Sequence, residues 1–367
     1  MNPKYAKSEQ TPRAGRSEPF PSGRLIFLSP RPLPTGLPPM DHGHAVGEVS
    51  DGYLDFGTGV TPVFGWQATL GIPFSCFLLG AFGFPFILSG LAVAHGRELA
   101  TAVEVFQEMF NYGFGIAFWG CSFFLLLGLG IWYREHLKLE SIIPTRFNRQ
   151  RREVCFVPEG QKKPIFVPWE ELVAWVTEAQ GVTEYGVHHQ YGFGIGFYRP
   201  TTNEKYTLEF QTYGQFQAIS NWEAIRAYME YDVHTLKEIQ DPLDLQGPDD
   251  PPWEGVHVFR NARKRLHDEY QEGKRGVFYL IGWYLYHLMT FWTIPNRLVE
   301  WEVKKIKRMS QKTLPKVMSQ WSKPLPEDQW AKPSDELKRQ SRRVLELQKS
   351  NPGKSTLEIF ALVSQEQ

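Results

Sequence analysis

Hydrophobic positions along the chain fall into three regimes. The first is continuous. No Asp, Glu, Lys or Arg occurs in the 28 residues from Gln67 to Ala94 or in the 25 from Met109 to Tyr133. A helix needs about 20 apolar residues to cross a bilayer, so each window is long enough. Tyr112 and Trp132–Tyr133 flank the second window, where amphipathic rings favour the headgroup level. Pro73 and Pro85 interrupt the first, which a membrane helix tolerates better than an isolated soluble one. A cleaved signal peptide would begin closer to the N-terminus. Gly113, Ala117 and Cys121 recur every four residues, a small-residue stripe that lets helices approach closely, and Gly80, Gly83 and Gly90 supply small residues in the first window. The prediction is an antiparallel transmembrane hairpin over 66–133, its windows joined by the connection 95–108.

The second regime alternates. Between 142 and 213, short runs such as Glu153–Val157, Pro164–Val167, Leu172–Val176, Gly194–Tyr198 and Lys205–Phe210 mix aromatic or β-branched residues with polar ones. This fits half-buried antiparallel strands, with turns at Pro158–Gly160 and Pro200–Asn203. Phe216, Ile219, Trp222, Ile225 and Met229 then repeat with helical spacing. Strands closed by one helix predict a small β-barrel or roll of pleckstrin-homology-like type over 134–240. Asp241–Pro252, within a Pro/Asp linker at 241–255, ends that domain.

The third regime is aromatic and basic, over 256–310. Val277–Ile294 is 18 residues without a charge and holds Phe278, Tyr279, Trp283, Tyr284, Tyr286, Phe291 and Trp292. Arg263, Lys264, Arg265, Lys274 and Arg275 precede it. Three arrangements fit: a third span, a helix packed on the middle domain, or an interfacial helix with rings at the headgroups and bases on anionic lipid. The interfacial arrangement is the expectation, with those five bases plus Trp283 and Trp292 as the lipid contacts. The tail 311–367 predicts an amphipathic helix that Ser334 caps. Residues 1–65 contain ten Pro and nine Gly, and predict a mobile arm without a packed sheet, with room for a short ordered hook around Leu25–Leu28. The expected fold class is therefore an α+β membrane protein: a two-helix hairpin, a cytoplasmic β-rich domain and C-terminal helices.

Charge sharpens this picture. The 40 basic and 40 acidic residues cancel, but unevenly: net −2 over 1–133, −7 over 134–255 and +9 over 256–367. No bulk positive charge marks a nucleic-acid binder. Three cysteines (Cys76, Cys121, Cys155) are too few for a disulfide framework or a four-cysteine metal site. Only Arg97 lies in the 95–108 connection, whereas Arg134, Lys138, Arg146, Arg149, Arg151 and Arg152 follow the second window. The positive-inside rule then puts both termini in the cytoplasm.

Several chemical motifs fail on inspection. Gly192–Gly196 resembles a phosphate loop but lacks its third glycine and its helix, and reads instead as a strand under close backbone packing. Asn351–Thr356 imitates the end of a P-loop without the first glycine. His188 and His189 are neighbours on a strand and point to opposite faces. His42 and His44 read as loop side chains, and Asp249 and Asp250 as solvated loop acids. No catalytic, metal or cofactor residue is expected. An enzyme of lipid or envelope chemistry is the alternative, requiring His188 or His189 to meet a carboxylate such as Glu184.

The hairpin, followed by Pro144–Val154, Pro168-Trp-Glu-Glu-Leu-Val173, Trp222–Met229 and the basic Trp292–Trp301 segment, resembles a family of uncharacterised bacterial two-span membrane proteins. The resemblance covers roughly residues 60–310, and the Pro-rich arm departs from it. Such proteins are often encoded near type VI secretion effectors. This implies an inner-membrane immunity or accessory protein whose partners are the bilayer and an effector or secretion component, with a homo-oligomer left open. Topology is directly testable. Reporter fusions at residue 100 should read as external, and fusions at 240 and 320 as cytoplasmic; any other pattern contradicts the two-span arrangement.

Overall fold

A computed structural model describes residues 12–57, 62–139, 143–158, 163–183, 186–199, 204–240 and 244–365. The turns expected at 159–160 and 200–203, Asp241 of the linker and the carboxylate of Glu184 lie outside them. In chain order, strands β1 (Ser17–Phe20), β2 (Gly23–Phe27), β3 (Val46–Val49) and β4 (Tyr53–Phe56) come first. Helices α1 (Val63–Leu78), α2 (Phe84–Ala94) and α3 (Leu99–Leu139) follow. Then come β5 (Thr145–Asn148), β6 (Glu153–Phe156), β7 (Ile165–Pro168), β8 (Val173–Thr183), β9 (Gly186–Arg199), β10 (Glu204–Thr212) and α4 (Gln215–Met229). The chain ends with α5 (Val256–Gln271), α6 (Val277–Met289), α7 (Ile294–Thr313), α8 (Lys316–Trp321), α9 (Asp335–Ser350) and α10 (Thr356–Gln365). It is α+β, with two long apolar helices and two antiparallel sheets.

The chain divides into two compact units, and neither is a continuous stretch. One unit comprises Met1–Gly59, Ile143–Asp241 and Ser310–Gln367; the other comprises Val60–Ile142 and Pro242–Met309. This division replaces the linear series of domains expected from the sequence.

The first unit holds both sheets, ordered β1-β2-β8-β9-β10 and β3-β4-β5-β6-β7. Every strand belongs to one sheet only, so the strands are two ladders, without the continuous hydrogen-bonded circuit of a barrel. Alternation on the long strands behaves as expected. Leu172, Ala174 and Val176 point into the core with Phe193, Ile195 and Phe197. On the opposite face, Gly194 lies under the Trp175 indole, which a Cβ there would overlap. The glycine run is thus a strand cleared for a ring, not a phosphate loop. Helix α4 departs from the one-sided pattern: residues 218–229 are all buried, whereas Phe216 is exposed. Burial of both faces explains why polar Ser220, Asn221, Glu223 and Arg226 lie inside. Glu223 accepts from the Thr35 N–H at 3.0 Å and its hydroxyl at 2.8 Å, and Arg226 ion-pairs with Glu223 and Asp232.

Two expectations fail in this unit. Residues 12–57 are not a mobile arm, since they supply four strands and bury Ile26, Leu28, Leu33, Val46, Leu54 and Phe56; 1–11 and 58–61 lie outside the described residues. Each strand has only four or five residues, and β1, which contains Pro19, sits at a sheet edge where the missing N–H costs no ladder bond. Nor is the C-terminal segment a free tail. Ser334 does cap α9, accepting from the Leu337 N–H at 3.1 Å, but Leu337, Val344, Leu347, Ile359, Phe360 and Val363 join the same core.

The arginines after α3 are mostly internal. Arg146 makes a two-pronged pair with Asp55, both bonds 2.6 Å, and donates to the Ser322 hydroxyl at 2.8 Å. Arg149 donates to the carbonyls of Asp51 and Val233, with Tyr228 and Tyr231 against its guanidinium. Arg152 spans the Glu230 carboxylate at 3.0 and 2.8 Å. Beside this cluster, burial pushes the Cys155 thiol up to about 12, so it stays protonated and unreactive. Breaking a buried pair strands the remaining charge, at a cost of about 3–5 kcal/mol. Asp55→Ala should therefore lower the unfolding midpoint in denaturant sharply, and Asp55→Leu with Arg146→Met should recover most of the loss. Equal loss in the single and double variants would argue against the pair.

Candidate membrane interface

The second unit is built on the two apolar helical stretches Val63–Ala94 and Leu99–Arg134, each long and apolar enough to cross a membrane. The first is unbroken despite its prolines. A π-turn at Leu79–Gly83 joins α1 to α2, and the Phe84 N–H donates to the Leu79 carbonyl five residues back. Widening the helix there absorbs the bond that Pro85, lacking an N–H, cannot make. Helix α3 starts at Leu99, ten residues before the uncharged window, so most of the expected connection 95–108 is helical. The turn is pinned where the Ser89 hydroxyl donates to the Ala102 carbonyl at 2.7 Å.

Small residues set the distance between these helices. A Cβ on Gly113 would lie 3.1 Å from the Gly80 carbonyl oxygen, and one on Gly80 would lie 3.1 Å from the Ala117 Cβ. Farther along, Gly128 faces Thr69 in the same way, at 3.0 Å. Cys121, the third residue of the predicted stripe, is half-buried and free. Aromatic pairs Phe77–Phe114, Phe82–Phe110 and Phe86–Phe106 line the seam, with centroids 4.8 to 5.6 Å apart. Beside it runs a shallow apolar groove of about 460 Å³, lined by Cys76, Gly80, Phe84, Gly113 and Ile116 among others. The remaining surface is uncovered: Ile72, Phe86, Trp119 and Leu126 are exposed, and Ile116 is 78% exposed. Core helices of a soluble protein bury such side chains.

Polar helices grip one end of this pair. Glu302 on α7 is buried, 2% exposed. Its carboxylate accepts from the Trp66 indole of α1 at 3.3 Å and from the Trp132 indole of α3 at 2.6 Å. Val63, Leu70, Leu129, Val299 and Val303 pack around it. Glu254 accepts from the Val63 N–H at 2.6 Å, and Glu300 from the Val256 N–H at 2.9 Å, so two helix N-termini are held by carboxylates from elsewhere in the chain. Sequence reading missed Glu302. Its only signal is an acid with a tryptophan before it, Trp301-Glu302, and nothing local names its partners.

The basic aromatic segment is not one helix. Helix α6 ends at Met289, and Phe291 and Trp292 take left-handed φ angles of 62° and 57° before α7 begins. Its 13 residues extend about 20 Å, short of the roughly 30 Å of a bilayer core, so the third-span arrangement is excluded. Trp283 and Trp292 do not project as anchors. Both are half-buried against Phe259 of α5, at 5.5 and 5.2 Å. The bases are exposed but unequal. Arg265 pairs with Glu269 and Asp244, Arg275 with Glu269, and Lys274 with Glu272. Arg263 and Lys264 make no ion pair among the described residues.

His188 and His189 are exposed on β9, and no group of three metal-ligating side chains gathers among the described residues. Asp250 is a structural acceptor for the Gly247 N–H and the Asn261 amide.

The Glu302 junction is open to a direct test. An orphaned buried donor costs about 1–3 kcal/mol, and Glu302→Ala orphans two. The variant should melt earlier in detergent and expose residues 290–315 to protease, whereas Glu302→Gln should retain part of the stability. An unchanged melt and digestion pattern would remove the junction's role. Comparison with protein-family models, with curated proteins and with solved structures finds no match for this chain.

Proposed function

We propose that the chain is a non-enzymatic inner-membrane protein. The α1–α3 hairpin anchors it, and its strand-rich unit, a pleckstrin-homology-like interaction module, faces the cytoplasm and binds a protein partner. The observation that carries this reading is the uncovered apolar surface of the hairpin, clamped at one end by Glu302 to polar helices. A soluble protein would have to leave that surface in water. On the strand-rich unit, β10 is an edge strand ending beside Tyr213, 96% exposed, and Phe216, 53% exposed. An extended segment of a partner can add to such an edge, with aromatic side chains supplying the contact area. By the family resemblance, that partner is a membrane-acting effector or a secretion component, and the role is immunity or accessory.

Deleting the gene should sensitise cells to a neighbouring effector, and wild-type protein should restore survival. Tyr213→Asp with Phe216→Asp should fail to restore it while still fractionating with the inner membrane. Survival unchanged by the deletion would remove the immunity role. Full rescue by the double variant would remove this edge as the binding surface.

A further inference from the structure

We infer that α6 lies half-immersed in one leaflet, and that its lipid-contacting residues are Phe278, Ile281, Leu285 and Leu288. The inference rests on the proposed bilayer placement of the hairpin and adds a second, non-spanning contact to it.

Three observations converge. First, the four residues recur at intervals of three, four and three, so they form one stripe along the helix. All four are exposed, Phe278 at 86% and Leu288 at 60%. The opposite side is occupied, Trp283 packing on Phe259, and at the flank of the stripe Tyr284 meets His267 of α5 at 2.8 Å. The helix holds no Asp, Glu, Lys or Arg, and its one basic side chain, His287, is half-buried with its Nδ1 2.8 Å from the Trp283 carbonyl oxygen. Second, its C-terminal end is joined to α1 at three levels. The Tyr286 hydroxyl donates to the Gln67 side-chain oxygen at 3.0 Å. Thr290 sits on Gly71, where a Cβ would lie 2.8 Å from its methyl group. Phe291 meets Phe74 with centroids 4.9 Å apart. Third, these levels give a depth. Gln67 follows Trp66, whose indole meets the Glu302 carboxylate at the polar end of the hairpin, and Phe74 is seven residues further along, about 10 Å at 1.5 Å per residue. Interfacial helices bury their apolar face by about 5–10 Å. The turn after α6 therefore reaches the upper acyl region, and Lys274 and Arg275, just before the helix, remain at phosphate level.

Hydrocarbon, not a protein cover, is the occupant because Tyr286, Thr290 and Phe291 join the end of α6 to α1, which itself carries the 61% exposed Ile72. A cover over α6 would have to displace lipid from a membrane helix as well. The tryptophans expected as anchors instead hold α6 against α5, and the aliphatic stripe makes the contact.

The test uses the full chain with Cys76→Ala and Cys121→Ala, leaving the buried, unreactive Cys155. Nitroxide labels are placed singly through Phe278→Cys, Ile281→Cys, Leu285→Cys and Leu288→Cys, with Ile116→Cys and Arg263→Cys as references. Each variant is reconstituted into phosphatidylethanolamine–phosphatidylglycerol vesicles, and its accessibility to oxygen and to a nickel chelate is measured. The stripe should show an oxygen-to-chelate ratio above that at 263 and below that at 116, deepest at 288. Ratios equal to that at 263, or shielding from both reagents by a protein cover, would overturn the inference. If position 116 reads as lipid-facing while the stripe fails, only the α6 assignment falls. If 116 also reads as aqueous, the anchor reading falls with it.

Discussion

One carboxylate makes the second unit a single object. The glycine seam and its aromatic pairs set which faces of the two apolar helices meet, and Glu302 ties that arrangement to α7 by accepting from an indole on each helix. The bonds lie in a nearly dry pocket, where an unpartnered charge or indole N–H is costly, so the alternatives are disfavoured more strongly than the bonds alone would suggest. Since Glu302 belongs to α7, the same contact sets where α5, α6 and their bases lie relative to the hairpin. Glu254 and Glu300 extend the scheme by closing helix N-termini that would otherwise leave N–H groups unsatisfied.

In the strand-rich unit, arginine takes the corresponding role. Arg146, Arg149 and Arg152 each satisfy several acceptors at once, a use that suits a planar, permanently charged guanidinium with five donors.

What could be read from the sequence tracks how local the signal was. The apolar windows, the long strands β8–β10, the glycine seam at Gly113 and the Ser334 cap are each specified within a dozen residues, and each was legible. The four N-terminal strands were not. Their apolar residues are sparse among proline and glycine; β1 and β3 pair only with their hairpin neighbours, and those hairpins are held by partners more than 85 residues away, β2 with β8 and β4 with β5. The uniform burial of α4 was likewise invisible, because its sequence does not record that it is enclosed on every side. In the basic aromatic segment, composition offered Trp283 and Trp292 as lipid contacts without showing what they pack on. Tryptophan at a membrane suggests an anchor, yet only tertiary contacts show that Trp283 and Trp292 face Phe259.

The pairing of Phe56 with Thr145 means that the chain leaves a sheet at one residue and re-enters beside it after the whole hairpin. This imposes an order on biosynthesis. When the ribosome has made β4, only its hairpin partner β3 is present, and β5 follows after the whole of α1–α3 has emerged. The hairpins β1–β2 and β3–β4 each wait with one edge unpaired until β8 and β5 are made. Closure of the strand-rich unit is then a late event, and these N-terminal hairpins are the part of the nascent chain most in need of chaperone protection.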